Sequence, residues 1–227
     1  MHPPLWKYYL SFLTEVHIES APSEHNPHLY VSLRKGRYQL STANAIYSYA
    51  DLYSNFRDAF HQIRLPELPI DKVLLLGFGL GSIPYMLEKK FQQRYHYTAV
   101  EIDENVLYLA NKYVLPDLTS SISMIASDAS IFVSYCQEQF DLICMDIFLD
   151  DTIPAIFETE AYLLQLKNLL TPDGILLFNK LALTEEDIAA CQSFQPLFLS
   201  CFPGGTHLEV DGNWMFLNRK EILEGIV

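Results

Sequence analysis

Val73-Leu74-Leu75-Leu76-Gly77-Phe78-Gly79-Leu80-Gly81 is an apolar strand running straight into three alternating glycines. Glycines at these positions let backbone N–H groups approach a ligand with no Cβ in the way, and a helix N-terminus follows them. Twenty positions past Gly81, Glu101 closes a second apolar strand, Tyr97-Thr98-Ala99-Val100-Glu101. An acid at that distance is placed to accept hydrogen bonds from both hydroxyls of a ribose. Turn and acid together read as a Rossmann-like grip on an adenosine cofactor. The plainer alternative is a tight strand-to-helix turn that holds nothing.

Working outward, strands alternate with helices. Strands are expected at 73–76, 97–101, 122–126, 141–146 and 174–180. Helices are expected near 82–92, 103–113, 129–137, 158–170 and 184–194. This order implies a parallel sheet wrapped on both faces. The end differs: Thr206–Val210, Asp211-Gly212 and Asn213–Asn218 read as a hairpin with a primed turn, because Asp-Gly tolerates positive φ. A Rossmann-like sheet finished by an antiparallel hairpin is the class I methyltransferase pattern, and the Gly-x-Gly-x-Gly spacing agrees. Upstream, Phe12–Glu19, His28–Leu33 and Arg37–Leu40 are extended candidates separated by Ala21-Pro22-Ser23 and Arg34-Lys35-Gly36, a small β-hairpin module. Residues 43–62 read as a helix, with Ile46, Tyr49, Ala50, Tyr53 and Phe56 near a 3.6-residue period. Leu65-Pro66-Glu67-Leu68-Pro69 is a stiff connector. The division is therefore 1–66, strand module plus helix, and 67–227, nucleotide-binding domain.

The 227 residues are 50% hydrophobic, with 14 Tyr and 14 Phe, which excludes disorder. With 28 acids against 15 bases the formal charge is −13, the wrong sign for a nucleic-acid binder. No Lys or Arg falls between Lys112 and Lys167, where nine acids do. That stretch borders the expected cofactor site, so either an electronegative mouth drawing cationic ligands or a solvated acidic face is expected. Cys136, Cys144, Cys191 and Cys201 show no paired spacing and read as buried thiols of a reducing compartment. His25 and His28 read as loop histidines, and no metal site is expected. The run Leu5–Leu13, interrupted by Lys7, is too short for a membrane span and has no cleavage site. A cytoplasmic protein without membrane attachment is the expectation.

The chain also resembles spermidine synthases. The resemblance is carried by Arg37-Tyr38-Gln39-Leu40-Ser41 with Ala45-Ile46-Tyr47, by Val100-Glu101-Ile102-Asp103-Glu104-Asn105-Val106 and by Ser127-Asp128-Ala129. It continues through Phe140–Asp146, Phe157–Tyr162 and Leu170–Leu176. The resemblance implies that Gly77, Gly79 and Gly81 cradle the cofactor and that Glu101, beside Ile102, holds the ribose. Asp128 would accept from the adenine amino group, with Ala129 nearby. Asp146 would be the general base, Tyr47 would stand beside the chemistry, and Gln39, Tyr49, Asp150 and Asp151 would be acceptor-pocket candidates. For Glu101, Asp128 and Asp146 the bland readings are a strand-end cap, a helix N-cap and a turn residue.

Three positions depart from that pattern. Leu80 stands where the family's glycine loop carries an Asp facing the amine tail of decarboxylated S-adenosylmethionine. Ser48-Tyr49 replaces His-Glu, and Asp146-Ile147-Phe148-Leu149-Asp150-Asp151 displaces the second carboxylate of Asp-Ser-x-Asp-Pro. Each change removes a charged partner for an amine, and an unpaired ammonium out of water is costly. The expected cofactor is S-adenosylmethionine, with methyl transfer to a small acceptor, a cationic amine being one candidate. Aminopropyl transfer from the decarboxylated form is the alternative, and a non-catalytic nucleoside-binding or interaction protein is a third reading. The apolar tail Ile222-Leu223…Ile226-Val227 and the N-terminal strands lead to an expectation of a homodimer.

Overall fold

The computed structural model describes residues 3–25, 28–42, 46–149 and 152–223. The chain opens with a short helix, α1 (Leu5–Leu10), where the sequence suggests extended chain only further on. Strands β1 (Val16–Ala21), β2 (Leu29–Arg34), β3 (Arg37–Ser41) and β4 (Ile46–Ser48) then form an antiparallel sheet in that order. The β2–β3 turn is primed, with Lys35 at φ 50° and Gly36 at φ 72°. The three extended candidates of the expected hairpin module are thus β1, β2 and β3, and β4 completes a four-stranded sheet.

The helix expected over 43–62 is not formed as such. Its described part is β4, a 3-10 turn at Ala50–Leu52 and α2 (Ser54–Phe60). Ser82 in the glycine-loop helix explains the break, because its hydroxyl accepts from Tyr49 N at 2.8 Å and pairs with Ser48 Oγ at 2.6 Å. That clasp holds Ser48 extended against Leu40, and Ala50 is turned to φ 47°. The aromatic period was real, but a long-range bond overrode it.

From here β5 (Lys72–Leu76), α3 (Ser82–Lys89), β6 (His96–Glu101), α4 (Glu104–Tyr113), β7 (Ser121–Ala126), α5 (Ala129–Tyr135) and β8 (Phe140–Met145) alternate as the sequence implies. They are followed by α6 (Glu160–Asn168), β9 (Leu170–Leu181), α7 (Glu185–Cys201), β10 (Thr206–Val210) and β11 (Asn213–Leu217). The seven-stranded order is β10-β11-β9-β8-β5-β6-β7, parallel from β5 to β9, with β11 antiparallel to β9. Asp211 at φ 32° and Gly212 at φ 75° make the primed hairpin turn.

Strand β5 is buried on both faces, Val73 and Leu75 in one apolar cluster and Leu74 and Leu76 in the other. That is why it reads as a continuous apolar run. Helix α7 runs seven residues beyond its expected end, through Pro196. Phe194 and Phe198 hold it, with ring centroids 5.2 and 5.3 Å from Phe216. The chain reverses its direction of sheet growth between β5 and β8, and the carboxyl ends of those neighbours open a crevice.

Candidate functional site

At that crevice the glycine loop is shaped by close approach. Gly77 has φ 83°, and a Cβ there would lie 2.3 Å from the Asp146 carbonyl oxygen. Asp146 N in turn donates to Leu76 O at 2.8 Å, so the ends of β5 and β8 are pressed together. Gly79, at φ 55°, abuts the Tyr47 carbonyl, and Gly81, at φ 83°, caps α3. Only Gly meets both conditions, positive φ and backbone contact, at Gly77.

Glu101 ends β6 and folds back on this loop. Its Oε2 accepts from Phe78 N at 3.1 Å and Gly79 N at 3.2 Å, and its Oε1 accepts from Asp103 N at 3.3 Å. Burial raises its pKa, and those backbone N–H groups work the other way. Asp128 is the N-cap of α5, its Oδ1 accepting from Ser130 N at 2.7 Å and Ile131 N at 3.2 Å. Burial alone would lift this carboxyl, but the Ser130 hydroxyl and the backbone donors outweigh it, so its pKa is lowered.

Asp146 follows β8 directly. Its Oδ1 accepts from Asn179 Nδ2 at 2.9 Å and from the Tyr53 hydroxyl at 3.3 Å. Burial pushes this carboxyl up to about 6, the Asn179 and Tyr53 hydrogen bonds oppose the rise, and the Glu101 charge adds to it. A carboxylate poised there can accept a proton near neutral pH.

A cleft of about 690 Å3 runs along these strand ends. Gly77, Gly79, Glu101, Ile102, Asp128 and Ala129 line it on the β5–β7 side, and Asp146, Asn179, Leu181, Leu183, Asp211 and Asn213 on the other. Tyr47, Tyr49 and Tyr53 form part of its wall. Among the described residues the lining holds four carboxylates (Glu101, Asp128, Asp146, Asp211) and no Lys or Arg. Across the mouth lies the segment carrying Ile156 and Phe157, tethered by an ion pair between Glu158 and Lys180, itself 5% exposed.

The expected residues do not all converge. Gln39 is buried in β3, donating to Ser41 Oγ at 2.9 Å, and is not among the lining residues; nor is Gly81. Asp150 and Asp151 lie outside the described residues, as do Ala45 and the tail residues Ile226 and Val227. His25, expected merely on a loop, borders the cleft. Its loop is held there by the Ser23 hydroxyl, which donates to Asp103. Leu80 is 1% exposed and packed in the core. Sequence reasoning missed Tyr53, Asn179 and Asn213. A lone amide near the end of the apolar strand Leu176-Leu177-Phe178-Asn179 was the available signal, since a buried amide needs partners.

A sequence model of the spermine/spermidine synthase domain matches residues 66–200. A probable polyamine aminopropyl transferase of Bifidobacterium longum (strain NCC 2705) is 24% identical over 62% of this chain and 31% of its own length. A polyamine aminopropyltransferase of Vibrio vulnificus (strain CMCP6) is 28% identical over 48% of this chain and 37% of its own. The eEF1A lysine and N-terminal methyltransferase of Bos taurus is 25% identical over 60% and 22%. The chain thus spans less than two fifths of each curated relative it matches. In fold it is similar to spermidine synthase from Thermotoga maritima, with TM-score 0.68, 16% identity and coverage of 89% of this chain and 72% of the other. Human methyltransferase-like protein 13, solved with SAH, gives TM-score 0.56 at 22% identity over 67% and 72%. The Rossmann-like, methyltransferase-type sheet anticipated from the sequence is therefore the fold. Among the described residues no helix is long and apolar enough to cross a membrane, and no cluster of His, Cys, Asp and Glu could hold a metal.

Proposed function

This chain belongs to the spermine/spermidine synthase domain family, and we propose that it is a transferase moving the methyl group of S-adenosylmethionine to a small acceptor. One observation carries the reading. At the switch point of the sheet, the Glu101-braced glycine loop and an Asp146 carboxyl held near a pKa of about 6 open into one cleft. The residues lining the cleft fit a nucleoside: Glu101 would hold the ribose hydroxyls, Asp128 would accept from the adenine amino group, and Ile102 and Ala129 would flank the base.

S-adenosylmethionine, when bound, supplies a methyl carbon made electrophilic by its sulfonium. The protein's share is positioning. Asp146, kept in place by Asn179 and Tyr53, takes the proton of the acceptor as the acceptor's lone pair forms the new bond to carbon. With S-adenosylmethionine bound, the carbon–sulfur electron pair would leave with the thioether, so atoms and charge would balance. Tyr47 and Tyr49 wall the acceptor side.

Leu80 favours methyl over aminopropyl transfer. By the family resemblance it stands in place of the acid that faces the amine tail of decarboxylated S-adenosylmethionine; it is 1% exposed and does not line the cleft, so that ammonium would go unpaired at a cost of several kcal/mol. The aminopropyl reading keeps one observation of its own: no Lys or Arg in the described lining meets the carboxylate of S-adenosylmethionine. Parallel calorimetric titrations with the two cofactors separate them. Tighter binding of the carboxylated form is expected. Preference for the decarboxylated form turns the assignment to aminopropyl transfer, and binding of neither overturns both.

A further inference from the structure

The acceptor half of the cleft carries two buried amide oxygens with nothing to bind. Asn179 is 1% exposed and gives its Nδ2 to Asp146, which leaves Asn179 Oδ1 without a hydrogen-bond partner. Asn213, 9% exposed, gives its Nδ2 to Asp211 O at 3.1 Å, and its Oδ1 is likewise unpartnered. Asn213 pairs with Leu181 and Met215 with Asn179 across β11 and β9. The two Asn therefore share a face as diagonal neighbours, beside Asp146. Buried acceptors left unpaired are costly, and together with the carboxylate they present oxygens only. An ammonium, with its three N–H donors, matches that set; an anion does not.

Further out the chemistry changes. Ile46, Leu149, Ile156 and Leu183 are 46%, 54%, 53% and 70% exposed, come from three separate stretches of the chain and all border the cleft. Large apolar side chains gathered at one mouth mark a surface that a ligand covers. The carboxylate at this end that could meet a second charge, among the described residues, is Asp211. It is exposed at the rim and engaged by the Ser54 hydroxyl. A pair formed there in water adds little.

We propose that the acceptor is a singly charged amine with an apolar body: its ammonium sits between Asp146, Asn179 and Asn213, and its hydrocarbon covers the leucine–isoleucine mouth. A diamine is disfavoured, because its second charge meets that mouth. This deepens the transferase reading and rests on it for the reaction, while the binding itself is tested separately.

The experiment is calorimetric titration of the S-adenosylhomocysteine-loaded protein with 2-phenylethylamine, 2-phenylethanol and 1,4-diaminobutane. The phenylethylamine is expected to bind at least tenfold more tightly than either of the others. Leu183→Ala weakens it about tenfold, as loss of a covering side chain should. Asn213→Ala weakens the amine but leaves the alcohol unchanged, with the melting temperature checked alongside. Equal binding of the alcohol removes the ammonium site. Equal or tighter binding of the diamine overturns the single-charge assignment and points to Asp150 or Asp151. No binding of the phenylethylamine overturns the proposal outright. If S-adenosylhomocysteine itself does not bind, the methyl-transfer reading fails. The amine series on the unliganded protein, with the same ranking expected, then judges the acceptor site alone.

Discussion

Replacing Asp146 by Asn separates the cost of the site from its use. Burial pushes this carboxyl up to about 6 in the folded protein from an ordinary value of 3.8. The folded state therefore binds this proton more tightly than the unfolded chain does. The stability that protonation contributes is fully present below about pH 4 and is lost as pH rises through about 6. A shift of this size corresponds to about 3 kcal/mol at alkaline pH, of which about 1.4 kcal/mol develops between pH 5 and pH 8. Asp146 is only half-buried, so water in the cleft trims the latter figure to about 1 kcal/mol. Asparagine has no charge to desolvate. Urea denaturation of wild type and Asp146→Asn at pH 5 and pH 8 should therefore show the variant gaining about 1 kcal/mol on wild type at the higher pH, about 2–4 °C in melting temperature. Changes in packing or hydrogen bonding that do not depend on pH cancel in this double difference. Turnover by the same variant should fall at least 100-fold with cofactor affinity within a few-fold. A stability difference that is flat with pH, or grows in favour of wild type, refutes burial as the cause of the raised pKa. An active Asn variant removes Asp146 as the base.

Asn179→Ala removes a hydrogen bond that favours the charged carboxylate, so the acid limb of kcat/KM should move from about pH 6 to higher pH. Tyr53→Phe should move it the same way by less, and a downward shift in either pH profile contradicts the assigned roles. Gly77→Ala places a Cβ 2.3 Å from the Asp146 carbonyl at positive φ, and a loss of about 3 kcal/mol or more is expected in thermal or urea unfolding. Leu80→Asp should not restore an amine-tail site. It puts an unpaired charge at a position 1% exposed and should destabilise by about 3–5 kcal/mol; a stable variant that binds decarboxylated S-adenosylmethionine more tightly would show the opposite.

The readable and unreadable parts of this chain divide along one physical line. The strand–glycine–helix turn at 73–82, the acid closing β6 and the Asp211-Gly212 hairpin are decided by residues close in sequence, and the structure places them as read. Residues 46–53 depart from the helix that forms at Ser54–Phe60, because their aromatic period fits a helix while Ser82, more than thirty positions on, holds Tyr49 out of one. Tyr53 and Asn179 escaped for the same reason: their significance is a shared contact with Asp146, 93 and 33 positions away. The proposed cofactor side is built from the successive turns after β5, β6 and β7, each a local motif. The acceptor side is assembled from β4 and α2, the stretch after β8, the end of β9 and the tip of the last hairpin, and no single motif describes it. Its loops can therefore change without disturbing the glycine loop or Glu101. That independence accounts for a chain that keeps the Val-Glu-Ile-Asp and Asp-Ala motifs while Leu80, Ser48 and Tyr49 stand in for charged positions. It also sets where acceptor choice has to be sought, in Asn213, Leu183 and the 147–156 segment rather than in the glycine loop.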